Sequence, residues 1–202
     1  MSKLLVLLSL LCAVTLGHAQ TLLVLGDSLS AGYGIPVAQS WPALLQARLQ
    51  QEKFPHRVIN ASISGETTAG GRSRLDALLR QQQPRIVIIA LGANDGLRGL
   101  PLTALRDNLV AMVRAARQSG AKVLLAGMQL PPNYGPDYTR TFNETFGAVA
   151  RQEKIAHLPF LLEPIARDDA AFQPDRLHPT TVAQPKILDH VWASLKPLLK
   201  AR

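Results

Sequence analysis

The sequence predicts a single α/β domain in three layers, with helices on both faces of a mainly parallel five-stranded sheet. Three observations carry that prediction. Short apolar runs recur along the chain, several of them β-branched and without alternation, as strands covered on both faces are. Longer stretches with helical spacing separate them. No repeat, low-complexity tract or linker divides the 202 residues, a length that suits one good core.

The first 19 residues stand apart from that domain. Met1-Ser2-Lys3 is a weakly basic head, Leu4 to Leu16 is almost continuously apolar, and Gly17-His18-Ala19 is a small-x-small cleavage site. The run is short for a bilayer span and has the layout of a secretory leader, which outweighs a buried first strand or helix. The expected organisation is a signal peptide over 1–19 and one domain over 20–202, in an exported protein, periplasmic or secreted. The single cysteine, Cys12, lies inside the leader. Leu10 and Leu11 before it are too bulky for a lipoprotein signal, so the mature chain is expected to have neither disulfide nor thiol chemistry.

Within the domain, strands are predicted at Leu22–Leu25, Arg57–Ala61, Ile86–Leu91, Val123–Gly127 and Ala156–Leu161. Ser40 is placed to cap a helix entering through Pro42 and ending near Gln51. Leu75, Leu78 and Leu79 mark a second helix. Leu105, Leu109, Met112 and Val113 mark a third, which stops at Gly120. Phe142, Phe146 and Val149 mark a fourth. The last starts near Pro185 and runs through Ile187, Leu188, Val191 and Leu195.

The formal net charge is +8, with Lys and Arg scattered and little aromatic interleaving. That pattern reads as a solvated surface with some affinity for anionic membranes, and export argues against nucleic acid. No G-x-x-x-x-G-K-[ST] or G-x-G-x-x-G occurs, so nucleotide binding lacks its motif. His56, His157, His178 and His190 are scattered without metal-ligand spacing, and no metal or cofactor is expected. The G-x-S-x-G elbow is absent too.

In open α/β sheets, ligands bind at the carboxyl ends of the strands. There this chain sets Gly26-Asp27-Ser28-Leu29, Ser62-Ile63-Ser64-Gly65, Gly92-Ala93-Asn94-Asp95, Leu130-Pro131-Pro132-Asn133-Tyr134 and Asp175-Arg176-Leu177-His178-Pro179. Singly, each has an ordinary reading as a cap, a turn or a surface acid. In their order and spacing the first, the second (taken from Asn60), the third (taken from Leu91) and the last of these resemble the blocks of the SGNH (GDSL) hydrolase superfamily. The stretches 63–71 and 130–135, with Ala183-Gln184-Pro185, are similar to its bacterial arylesterase, thioesterase I and lysophospholipase L1 subgroup. Ala93 stands where many relatives carry glycine.

The resemblance implies a flavodoxin-like SGNH hydrolase fold and a serine esterase acting on acyl esters, and on thioesters, through an acyl-enzyme. It assigns Ser28 as nucleophile, His178 as base, Asp175 as its orienting acid, and the Ser28 and Gly65 amides with the Asn94 side chain as oxyanion donors. Those residue types suit acyl transfer, because a serine hydroxyl needs a base to attack and the tetrahedral oxyanion needs prearranged donors. Leu97, Leu130, Pro131 and Tyr134 lie on neighbouring loops and are expected to line an acyl groove. The expected partner is a small acyl ester or lipid, with peripheral contact to anionic membrane and a monomeric state. Two rival readings remain open: a carbohydrate O-deacetylase on the same fold, and a non-catalytic lipid-binding protein of the envelope.

Overall fold

The computed structural model describes residues 20–200, so the expected leader at 1–19 lies outside the described residues. Five strands form one wholly parallel sheet: β1 (Gln20–Gly26), β2 (His56–Asn60), β3 (Ile86–Ala90), β4 (Lys122–Ala126) and β5 (Ala156–Leu158), in the order β2-β1-β3-β4-β5. β1 pairs with β2 from Gln20 opposite His56 and with β3 from Leu22 opposite Ile86. All five residues of β3 are buried, as a central strand covered on both faces requires.

Seven helices complete the domain among the described residues: α1 (Ser28–Ala31), α2 (Trp41–Gln51), α3 (Thr68–Gln82), α4 (Ala93–Leu97), α5 (Leu102–Gln118), α6 (Pro136–Glu153) and α7 (Gln184–Lys200). α2 packs on α7, while α3, α5 and α6 pack in a row. The apolar stripe of α5 is Leu105, Leu109, Met112, Val113 and Ala116, all buried at helical spacing. α6 buries Phe142 and Phe146 edge to face, with ring centroids 5.3 Å apart. At its end the buried carboxylate of Glu153 accepts from Arg114 Nη2 at 2.9 Å and Nε at 3.1 Å, which pins α6 to α5. No helix among the described residues is long and apolar enough to cross a membrane.

Each predicted strand and helix is present, with shifted ends. β5 stops at Leu158 because Pro159 has no N–H for the ladder. Ser40 stands at the start of α2 but does not cap it with its side chain. Its hydroxyl donates to the Val37 carbonyl at 2.7 Å, inside a 3₁₀ turn over Val37–Gln39, and the Trp41 N–H is taken instead by Gln184 Oε1 at 3.0 Å.

The strand order reverses between β1 and β3, so the crevice of the sheet opens at their carboxyl ends. α3 lies very close there. A Cβ added at Gly71 would sit 2.3 Å from Leu91 Cδ1 and 3.5 Å from the Met112 sulfur, with Leu91 fully buried. Gly71→Val is therefore expected to cost about 1–3 kcal/mol by overpacking, read as a lower urea midpoint. An unchanged midpoint would show that Leu91 has room to turn away.

Candidate active site

Ser28 opens α1 directly after β1. The capping oxygen of that short helix comes from Asp27, whose Oδ1 accepts the Leu29 N–H at 3.0 Å. Gly32 closes the turn in the left-handed region, at φ +81°. The Ser28 hydroxyl is thus free of capping duty, and its Oγ lies 2.9 Å from His178 Nε2.

On the other side of the ring, His178 Nδ1 lies 2.7 Å from Asp175 Oδ2. Asp175 Oδ1 accepts the N–H groups of Leu177 at 2.9 Å and His178 at 3.0 Å. These bonds, the His178 amide foremost, hold the Asp175 carboxyl down at about 2. It is ionised at neutral pH and can only accept. Nδ1 therefore carries a proton, and in the neutral ring Nε2 offers its lone pair to the serine.

Two groups steady this loop. Gln173 donates from its N–H to the His178 carbonyl at 2.7 Å, and from Nε2 to the carbonyls of Tyr33 at 2.8 Å and Pro179 at 3.1 Å. It therefore joins the histidine loop to the segment following the serine. The Tyr33 ring covers His178, with centroids 4.4 Å apart and planes tilted by 38°.

The remaining polar groups come from the loops after β2 and β3. Gly65 sits at φ +80°, its carbonyl accepting from Arg98 Nη2 at 2.8 Å. Among the described residues neither the Ser28 nor the Gly65 N–H has an acceptor within the protein. Asn94 Nδ2 donates to the Glu66 carbonyl at 3.0 Å, and its second proton has only a 3.5 Å contact with Asp27 Oδ2, at the outer limit of a hydrogen bond. Buried Asp95 ties the two loops together: Oδ2 accepts the Thr68 N–H at 2.8 Å and Oδ1 its hydroxyl at 2.5 Å. Glu66 is in turn held by Arg74.

A cleft of about 540 Å³ opens over these groups. Ser28, Gly65, Asn94 and His178 line it, and Leu97, Leu130 and Pro131 contribute to its wall. Tyr134 corrects the expectation. It is not on the wall: it packs against the core, and its hydroxyl donates to the Leu97 carbonyl at 3.2 Å. Sequence reasoning passed over Tyr33, Phe160, Leu162 and Phe172, which also line the cleft. Only Tyr33 carried a signal, an aromatic set between two glycines just beyond Ser28. Among the described residues no group of three or more His, Cys, Asp or Glu is placed to hold a metal ion.

Comparison with known proteins follows the same lines. The GDSL-like Lipase/Acylhydrolase family model matches residues 24–184. Esterase TesA of Pseudomonas aeruginosa is 55% identical over 181 residues, covering 90% of each chain. Thioesterase 1/protease 1/lysophospholipase L1 of Escherichia coli K12 is 41% identical over 181 residues, covering 90% of this chain and 86% of the relative. A crystal structure of TesA superposes with a TM-score of 0.87 at 54% identity, covering 89% of this chain and 99% of that one.

The buried Asp27 carboxyl yields a test of these electrostatics. Burial pushes it up from 3.8 to about 7, against the pull of the Leu29 amide and helped by nearby Asp95 and Glu66. Between those values the native chain keeps a proton that the unfolded chain has released. Stability contributed by this group therefore falls as pH rises through that interval. Asp27→Asn keeps the capping oxygen and removes the titration. The thermal midpoint of the wild type is expected to drop relative to Asp27→Asn between pH 5 and pH 8. Parallel curves would place the carboxyl at its ordinary value.

Proposed function

The chain belongs to the GDSL-like lipase/acylhydrolase family and is an ester-bond hydrolase, and from that premise we propose that Ser28 is its nucleophile, His178 its base and Asp175 the acid that orients the base. Ser28 Oγ attacks the acyl carbon while its proton passes to His178 Nε2. Asp175 steadies the imidazolium that forms. The carbonyl oxygen, now negative, is received by the Ser28 and Gly65 N–H groups and the Asn94 amide. His178 then returns the proton to the departing oxygen or sulfur, leaving an acyl-serine. Water, deprotonated by the same nitrogen, releases the acid.

The observation that carries this reading is the unbroken relay of 2.9 Å from Ser28 to His178 and 2.7 Å from His178 to Asp175. The substrates we assign are aryl and alkyl esters, lysophospholipids and acyl thioesters. The apolar wall of Leu97, Leu130 and Pro131, beside Phe160 and Leu162, suits an acyl chain and offers little to a sugar. The names of the TesA and thioesterase/lysophospholipase relatives point the same way. Peripheral contact with an anionic membrane, a monomeric state, and export to the periplasm or medium behind a leader over 1–19 complete the proposal.

Ser28→Ala is expected to abolish both fluorophosphonate labelling and nitrophenyl butyrate hydrolysis while the thermal midpoint stays near wild type. Hydrolysis by Ser28→Ala at close to the wild-type rate would sink the mechanism. Asn94→Ala is expected to lower kcat by about 10²–10³ with little change in KM, as loss of one oxyanion donor does. A rise in KM alone would assign Asn94 to ground-state binding.

A further inference from the structure

We propose that the rim of the cleft is a landing face for an anionic phospholipid surface, from which the enzyme draws its lipid esters; the inference rests on the esterase reading above. Five large apolar side chains are exposed among the described residues: Tyr33 at 52%, Val37 at 65%, Ile63 at 50%, Leu177 at 41% and Val182 at 75%. All five lie at one end of the molecule. In a parallel sheet every segment leading from a strand's carboxyl end towards the next helix that runs back emerges on the same side. Tyr33 and Val37 lie between α1 and α2, Ile63 between β2 and α3, and Leu177 and Val182 between β5 and α7.

The connections at the opposite end carry polar residues instead, including Glu52, Lys53, Arg85 and Lys154, and Phe54 there packs against the core. Single exposed apolar residues need no explanation, but their confinement to the catalytic end does. The collar is also continuous with the cleft. Tyr33 and Leu177 belong to both, and Ile63 adjoins Ser64 on the cleft wall. An acyl chain leaving a lipid surface would pass from collar to cleft over apolar contacts.

Charge selects the kind of surface. Arg176 lines the cleft, is exposed, and has no side-chain partner among the described residues. Arg98 is also exposed, and it donates to the carbonyl of Gly65, a residue of the cleft wall. Of the acids on these loops, Asp175 is engaged by His178, Asp168 by Lys186 and Glu66 by Arg74, which leaves Asp169 on the cleft wall and exposed Glu163 against the arginines. The whole chain carries +8. Arginines around an apolar collar favour anionic headgroups. A second copy of the chain, docked face to face, would set those arginines against each other.

The test uses the full chain and its Ile63→Glu/Val182→Glu variant, neither position belonging to the relay or the cleft wall. Wild type is expected to co-sediment with phosphatidylglycerol vesicles and not with phosphatidylcholine vesicles. The double variant is expected to lose at least about tenfold in partitioning while hydrolysing soluble nitrophenyl butyrate at the wild-type rate. Equal partitioning of variant and wild type, or equal binding of wild type to both lipids, would overturn the landing face. So would absence of vesicle binding with butyrate turnover intact, or a dimer by light scattering that the double variant disperses. Failure of the wild type to hydrolyse butyrate is a separate result, which would overturn the esterase reading itself.

Discussion

β1 hydrogen-bonds to β2 on one side and to β3 on the other, parallel to both, from Gln20 to Gly26. Because all pairs in the sheet are parallel, the segments leaving the strands emerge together, and the reversal of strand order beside β1 opens a gap between two of them. Ser28 stands at the end of β1 and Asn94 just beyond the end of β3, one on each side of that gap. Gly65 arrives from β2 on the flank. The groups meet because three adjacent strands deliver them, although 66 positions of chain separate Ser28 from Asn94. His178 comes from much farther along, and its loop is placed by contacts other than the sheet.

Three aspartates at this end illustrate how environment divides one residue type. Asp175 is partly exposed and accepts three hydrogen bonds, so its charge is stabilised at every ordinary pH. Asp95 is buried but spends both oxygens on Thr68, fixing the separation of the Gly65 and Asn94 loops. Asp27 is fully buried with one strong donor, the Leu29 amide, and burial keeps its proton on up to about 7. A neutral Asp27 sets no full negative charge beside the Asn94 amide. In the mechanism proposed above, that spares the oxyanion the repulsion of a carboxylate close by.

Much of this was legible in the sequence because it depends on local rules. Runs such as Ile86-Val87-Ile88-Ile89 fit only a covered strand, and the resemblance named Ser28, Gly65, Asn94 and His178, which the fold brings to one cleft, and Asp175, which stands behind His178. What escaped was set by partners distant in sequence. The N-terminus of α2 is satisfied by Gln184, 143 positions away, which no capping rule at Ser40 anticipates. Tyr134 sits on a predicted loop but turns inward to the Leu97 carbonyl, a choice made by tertiary packing. Pro159 was legible as a strand breaker, and the longer apolar run through Leu161 concealed it.

Gln173 shows why the two halves of the relay stay in register. The histidine loop has little regular structure: an isolated bridge between Phe172 and Pro179, and Arg176 at φ 57°, in the left-handed region. Loops of that kind drift unless their polar groups are committed. Gln173 commits them, bonding the carbonyls of His178 and Pro179 on its own loop and that of Tyr33 on the loop beyond Ser28. Space is tight around it, for a Cβ at Gly34 would fall 2.2 Å from Gln173 Oε1. With Tyr33 held by its carbonyl and its ring lying over the imidazole, a shift of one loop carries the other along. The 2.9 Å contact between Ser28 and His178 is thereby a property of the two joined loops, and a static sheet edge with a free histidine loop would not preserve it.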